Sequence, residues 1–234
     1  MVIMSIPGTH IYAENVDEVA KDAGINANEI IFLSRHKAAS GIPTLTVHPI
    51  GNFNDAEFGG RPRTLVKASP TTTTALLRSL SSIDTGTFKV SFEVTHHGPY
   101  VNIPATFIEI GSDEQQWKDK NAAMMIANAI LDHEEMNNPA AIGLGGGHYA
   151  PRFTEIALNR KVDFGHMIPE YAFGGSDDND LKRMITDAAE KSGTKLVYIH
   201  KKSMKGDMEK RMVSAVKSYG LETISSNDLD IIES

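Results

Sequence analysis

Along the 234 residues, apolar positions recur with a period of two in some segments and near 3.6 in others, and the two kinds of segment take turns. The clearest alternation runs from Phe88 to Thr95. There Phe88, Val90, Phe92 and Val94 interleave with Lys89, Ser91, Glu93 and Thr95, which predicts a strand. Compact apolar runs predict further strands at Glu29–Ser34, Leu45–His48, Thr106–Ile110, Ala140–Leu144, Lys195–His200 and Leu221–Ser225, the first of them buried. Helical spacing predicts a short helix over 16–23 stopped by Gly24, and one from Ser69 and Pro70 to about Ser81, with serine as the cap and proline in the first turn. A capping box of Ser112 and Gln115 predicts a long helix carrying Trp117, Met124 and Leu131. Two more helices, about 178–191 and 206–219, stop at Gly193 and Gly220. Strands separated by helices indicate an α/β fold with a largely parallel sheet. No repeat, low-complexity tract or linker interrupts the chain, so a single domain over 1–234 is expected.

Composition narrows the chemistry. The chain is 41% apolar and 23% charged, a balance that supports a packed core, and it contains no cysteine. Disulfides and thiolate metal sites are therefore excluded, and any metal must be held by imidazole and carboxylate. No stretch reaches the roughly 18 uncharged apolar residues of a membrane helix, and the start, Met1 to Tyr12, is neither basic nor long enough in apolar residues for a signal peptide. A cytoplasmic protein without a membrane partner is expected. The net charge of −7 opposes a nucleic-acid partner, since such proteins carry a basic surplus. Two local basic runs, Arg61, Arg63 and Lys67, and Lys195, Lys201, Lys202 and Lys205, are either solvated faces or a local patch sufficient to meet one end of a nucleic acid.

Nine histidines carry most of the remaining information. Seven of them, His36, His48, His96, His97, His148, His166 and His200, follow strand-like runs, whereas His10 and His133 sit elsewhere. Ligands of open α/β sheets bind outside the carboxyl ends of strands, so these imidazoles are expected along one sheet edge, as metal ligands or proton carriers. Glu93 shares side-chain parity with Thr95 and His97, which suits either a ligand set or a base with its orienting group. Glu109 places a second carboxylate in an apolar strand, where it needs a partner. The segment Gly143–His148 fails the dinucleotide fingerprint, because His148 replaces its last glycine. It leaves unhindered backbone N–H groups that suit an oxyanion or a phosphate, or simply a tight turn. No P-loop, nucleophile elbow or HExxH motif is present.

Four segments, in order, resemble the archaeal and plant-type D-aminoacyl-tRNA deacylases: Ser34-Arg35-His36 with Pro43, Glu93 to Pro99 (EVTHHGP), Gly145 to Pro151 (GGGHYAP), and Phe164 to Pro169 (FGHMIP). Phe107 to Ser112 and Trp117 also fit, and the resemblance covers roughly 29–225. It implies hydrolysis of the ester of D-aminoacyl-tRNA in translation quality control, zinc as cofactor, and a mixed central sheet similar to peptidyl-tRNA hydrolases and nucleoside phosphorylases. Under it, His96, His97, His148 and Glu93 are expected to hold the metal, and His96, His148, Glu93, Gly146 and Gly147 to carry the catalysis. His36, Arg35, Tyr149, His166 and Thr95 are expected to bind the 3′ end of the D-aminoacyl-tRNA. The family's N-terminal strand-and-helix unit is expected to be abbreviated here. A catalytically impaired tRNA-end or nucleotide-binding module, and a metal-independent aminoacyl- or peptidyl-tRNA hydrolase, are the alternatives.

Overall fold

The alternation of threonine and apolar residues in Thr44–His48 has a direct structural counterpart. In the computed structural model, which describes residues 1–204 and 206–233, this segment lies inside a four-stranded half-sheet with both faces covered. The half-sheet runs in the order β1 (Ile30–Arg35), β6 (Ala105–Gly111), β2 (Thr44–Pro49), β5 (Lys89–Phe92). β1 pairs parallel with β6 and β2 parallel with β5, but β2 is antiparallel to β6. A second half-sheet, β10 (Glu222–Ile224), β9 (Leu196–Ile199), β7 (Ala140–Leu144), β8 (Asp163–Ile168), is parallel throughout. A two-stranded ribbon, β3 (Gly51–Asn52) with β4 (Thr64–Leu65), completes a mixed, largely parallel α/β architecture. Lys205, one of the basic-run residues, and Ser234 lie outside the described residues.

The helices are α1 (Val16–Asp22), α2 (Pro70–Ser82), α3 (Glu114–Trp117), α4 (Lys120–Asp132), α5 (Pro151–Asn159), α6 (Glu170–Phe173), α7 (Asp178–Lys191) and α8 (Met208–Ser218). Leu76, Leu77 and Leu80 of α2 are fully buried with Leu45, Val47, Ile108 and Phe164 in one core that draws on both half-sheets. Each such leucine contributes about 1.5–3 kcal/mol relative to exposure. Among the described residues no helix is long and apolar enough to cross a membrane.

Several expectations change. The strand at Glu29–Ser34 is not buried: β1 is an edge strand, and Leu33 is 56% exposed. Ser69 makes no side-chain cap to α2. The capping box of Ser112 and Gln115 does not form. Asp113 accepts from Gln115 N instead, and the expected long helix is two, because Asp119 caps a new start by accepting from Asn121 N and Ala122 N. Asp113 and Asp119 compete successfully for these free N–H groups, since a carboxylate accepts strongly at a helix start. Met124 and Leu131 consequently face solvent, and Ala122, Ile126 and Ala129 face the core. The ladder of β5 ends at Phe92 rather than Thr95, because the chain then leaves the first half-sheet for the second. Glu93 N still donates to Val47 O at 3.1 Å, but Val94 N donates to His148 O and Thr95 N to Met167 O, both at 3.0 Å. Helix α5 and the β3–β4 ribbon lie in segments for which periodicity predicted no element.

Candidate active site

The site forms where the half-sheets meet, at the switch point favoured for ligands in open α/β sheets. Cross-strand partners point to the same face, so the register assembles it directly. Ser34 lies opposite Glu109, Glu109 opposite Thr46, and His48 opposite Phe107. On that face the His48 ring stacks on Phe107, 5.1 Å between centroids at 9°, and Phe107 stacks on Phe32. The opposite positions, Leu45, Val47, Ile108 and Ile110, enter the core.

Because β2 is antiparallel to β1, the ends carrying His36 and His48 lie at opposite ends of the half-sheet. The seven histidines therefore do not line one edge. Five of them, His36, His48, His96, His97 and His148, gather over the face around Glu93 and Glu109. His36 Nδ1 lies 3.5 Å from Glu93 Oε1 and 3.3 Å from Glu109 Oε2. His96 Nε2 and His148 Nε2 approach Glu93 Oε2 to 3.5 and 3.2 Å, and His48 Nε2 lies 3.8 Å from Glu109 Oε2. His97 follows the sheet switch with a left-handed backbone, φ 45°, so strand parity no longer governs it and His96 takes the place beside Glu93. His10, which no strand signal marked, joins the rim, with its Nε2 2.6 Å from Ser34 Oγ.

Three of these rings share one arrangement. Nδ1 of His48 donates to Pro49 O, that of His96 to Val94 O and that of His97 to Gly98 O, at 3.0, 2.8 and 2.6 Å. A backbone carbonyl on Nδ1 leaves Nε2 as a lone-pair donor, the usual device for orienting a metal-binding imidazole. The ligand atoms of His48, His96 and His97 lie within 4.8 Å of one another, as do those of Glu93, His96 and His148, and those of His36, Glu93 and Glu109. The four expected ligands thus divide: His97 groups with His48 and His96, while Glu93 groups with His96 and His148. His48 and Glu109 are ligand candidates beyond the expected four, and Glu109 was visible in sequence only as a carboxylate misplaced in an apolar strand.

Both oxygens of Glu93, Oε2 of Glu109 and Nε2 of His48 are buried and lack a hydrogen-bond partner. Buried acceptors facing one another are costly unless a cation lies between them. The donor set, imidazole with carboxylate, is that of zinc and similar ions, so the residues fit a metal. Their electrostatics agree. Burial works to raise the carboxyls of Glu93 and Glu109, but the neighbouring imidazoles prevail and hold both below the ordinary value, Glu109 well below it. Burial, aided by the other rings, pushes His96 well below the histidine range and His97 to about 4. His48 moves up, because Glu109 and Glu93 outweigh its burial.

Two clefts flank the segment Gly147–Tyr149. One, of about 360 Å³, opens between His96, His97 and His148 on one side and Phe53, Asp55 and Glu57 on the other. The second, about 610 Å³, lies against Gly145–Gly147, Tyr149, Phe153 and His200, and Tyr171 borders both. His148, 45% exposed in its side chain, is at the mouth of the cluster. Gly145 N donates to Ile168 O and Gly146 N to Ser203 Oγ, both at 2.9 Å, so these two N–H groups are taken. Gly147 has open space where a side chain would stand. The hydroxyl of Tyr149 lies 3.3 Å from His36 Nε2.

Of the other expected site residues, Thr95 lines the smaller cleft beside His96, His97 and His148, while His166 and Arg35 stand apart from the cluster. Thr95 is buried, its Oγ1 3.0 Å from His166 Nδ1 and accepting from Met167 N. His166 is fully buried in the middle of β8, with Nε2 donating to Val66 O, and burial lowers it to about 4. It is not at a strand end and has no exposed surface. Arg35 is exposed, with its guanidinium 4.7 Å over the Trp117 ring. In the basic runs, Arg61 stacks on Tyr100 and pairs with Glu14, Arg63 pairs with Asp180, and Lys201 pairs with Glu209.

The chain matches the family model for D-aminoacyl-tRNA deacylase over residues 23–224. It is 37% identical to a D-aminoacyl-tRNA deacylase of Methanococcoides burtonii over 99% of this chain and 48% of that protein. Relatives of the same name from Methanosarcina mazei and Archaeoglobus fulgidus are 34% and 39% identical over 97% and 92% of this chain. The chain thus spans about half the length of the first relative, and 77% and 78% of the other two. A crystal structure of a conserved protein of unknown function superimposes with a TM-score of 0.86 at 36% identity, covering 97% of this chain and 82% of its own. The segments carrying His36, Glu93, His96, His97, His148 and His166 all fall inside the matched region, and the chain belongs to the D-aminoacyl-tRNA deacylase family.

Proposed function

We propose that the chain hydrolyses the ester bond between a D-amino acid and the 3′ end of tRNA, releasing both, with zinc assisting at the Glu93 cluster. The observation that carries this is the buried Glu93 carboxylate, whose two oxygens face His36, His96 and His148 without a hydrogen-bond partner. Glu93, His96 and His148 would hold the ion, and His48, His96 and His97 form a second group with the donor set to do so. Zinc bound there supplies Lewis acidity and lowers the pKa of water towards about 7.

The chain's own groups complete the chemistry. Nδ1 of His36 faces two carboxylates, and its Nε2 lies within reach of the Thr44 and Tyr149 hydroxyls, at 3.1 and 3.3 Å. The His36–Tyr149 pair takes up and returns a proton at the Tyr149 oxygen as the ester is cleaved. The Gly147 N–H stabilises the carbonyl oxygen as it gains charge, and Gly146 shapes the turn that presents it. Thr95 and His166, both buried, hold the strand switch that places His96. Arg35, exposed beside Trp117, meets the tRNA backbone. The overall charge of −7 supports contact with the end of the nucleic acid over contact along its length.

The test is hydrolysis of D-Tyr-tRNA against L-Tyr-tRNA by the metal-loaded protein, with and without a zinc chelator. D-specific release that is lost on chelation and restored by zinc is the expected result. D-specific release that resists chelation would keep the activity and remove the metal from it. Absence of release from either substrate would reduce the protein to a tRNA-end binding module.

A further inference from the structure

Ser34 belongs to the run Ser34-Arg35-His36 but has no part in the chemistry above, and His10 belongs to none of the motifs. The two side chains meet. His10 Nε2 lies 2.6 Å from Ser34 Oγ, and Ser34, opposite Glu109 in the β1–β6 register, is hydrogen-bonded to its carboxylate. Phe32 and Ser34 share one face of β1, with His36 just beyond its end on the same side. Phe32 stacks on Phe107 and His36 faces both carboxylates, so the one small hydroxyl of this row stands beside Glu109.

His10 comes from the segment before β1, in the 3-10 turn His10–Tyr12. That segment is anchored without the Ser34 contact. Glu14 Oε1 accepts from Gly60 N and Tyr100 N at 3.1 and 2.9 Å, and Asn15 N donates to Tyr100 O at 2.8 Å. Gly59 passes so close to Ile11 O that a methyl group there would overlap it. These contacts lay the His10 ring beside Phe107, 5.5 Å between centroids. The bond to Ser34 is therefore free to serve direction rather than anchorage.

We propose that His10 and Ser34 are positioning residues for the reaction: His10 Nε2–H donates to Ser34 Oγ, whose own hydrogen goes to Glu109 and fixes the carboxylate that faces His36 and His48. The direction follows from the donors available. An ionised carboxylate only accepts, and a hydroxyl has one hydrogen. Once Ser34 donates to Glu109, the hydrogen in its contact with His10 must come from the imidazole. Glu109 Oε2, 3.3 Å from His36 Nδ1 and 3.8 Å from His48 Nε2, is then held towards both rings. Groups that hold ligating residues from behind set their orientation and so tune a metal site. The effect on turnover rests on the zinc-assisted deacylase reading; the hydrogen-bond relay itself does not.

The test measures kcat and KM for D-Tyr-tRNA, zinc affinity by competition with a chromophoric chelator, and thermal unfolding. The variants are Ser34→Ala, Ser34→Thr, His10→Phe, and His10→Phe combined with Ser34→Ala. Ser34→Ala should lose about tenfold in kcat and in zinc affinity with KM retained. Ser34→Thr keeps the hydroxyl and should retain both. His10→Phe keeps the packing on Phe107 without the donor, and should show a smaller loss at an unchanged melting temperature. The double variant should be no worse than Ser34→Ala, because His10 acts through the hydroxyl alone. Additive losses, a raised KM with kcat held, or unchanged kcat and zinc affinity relative to an active wild type would overturn the relay. Nitrogen-15 NMR of the imidazoles in the full chain reads the bond without turnover or metal. His10 should carry its hydrogen on Nε2 in wild type and exchange it between the two nitrogens in Ser34→Ala; a hydrogen on Nδ1 in wild type would overturn the relay. A wild type that hydrolyses nothing but keeps this Ser34-dependent signal would instead remove the deacylase reading and leave the relay standing.

Discussion

Glu109 is the residue whose role is easiest to isolate. It sits in the apolar strand β6 with Oε2 facing His36 and His48, one step behind the Glu93 group. On the zinc reading, Glu109→Gln keeps the shape but removes a carboxylate charge facing His36 and His48, and should cost about 10–100-fold in zinc affinity. Competition with a chromophoric chelator reads this directly; an unchanged affinity would make the carboxylate purely structural. His166 allows a second experiment. In the unfolded chain its imidazole takes a proton near the ordinary 6.5, but burial in β8 delays this until about 4. The depressed value makes the neutral ring a stabilising condition, complete above pH 6.5 and lost progressively as the pH falls to 4. The integrated loss is on the order of 3 kcal/mol. Urea unfolding between pH 4 and 7 should therefore be steeper in pH for wild type than for His166→Gln. Parallel curves would show that the ring is protonated in the fold.

At the scale of elements, the region 112–132 separates local signals that compete. Ser112 followed by Gln115 reads as a capping box, yet Asp113 and Asp119 cap two separate helices and the Ser112 hydroxyl is buried without a partner. Asp119→Ala should destabilise the protein by about 1 kcal/mol. Ser112→Ala should be neutral or slightly stabilising, because it removes an unsatisfied buried hydroxyl. Equal effects in chemical denaturation would contradict this assignment of the caps. Most helices and strands were legible because their periodicity and glycine stops act within a few residues. At Gly24, Gly193 and Gly220 the backbone does take positive φ, as their place after a helix requires. The end of the β5 ladder at Phe92 was not legible. Glu93 to Thr95 keep alternating in sequence, but their hydrogen-bond partners belong to distant strands.

For the whole molecule, the join between the half-sheets determines both stability and the site. Arg78 of α2 donates to Asp163 Oδ1 at 2.9 Å at the start of β8, and to the carbonyls of Ala157, Arg160 and Val162. Asp163 is fully buried, and Asn138 supplies its other bonds. Arg78→Met keeps the stem but strands the carboxylate and three carbonyls, so a loss of about 3–5 kcal/mol is expected. Replacing both residues, with Asp163→Asn, should recover part of it. Thermal unfolding of the single and double variants measures the coupling, and additive losses would deny it.

The sequence by itself determined the alternation of strands and helices and the imidazole and carboxylate character of the site. It also determined the family, through the runs EVTHHGP and GGGHYAP. These are properties of neighbouring residues or of fixed motifs. Only the tertiary structure decided which ends of which strands meet. β2 pairs antiparallel with β6, a choice with no local signature, and it brings His36 and His48 to one face from opposite ends. That pairing set Thr46 and His48 on the face that carries Glu109, while the left-handed turn at His97 and the burial of His166 in β8 were decided elsewhere in the fold. Strand direction and order arise from long-range burial and hydrogen bonding, and therefore the elements could be read along the chain but the site had to be read across it.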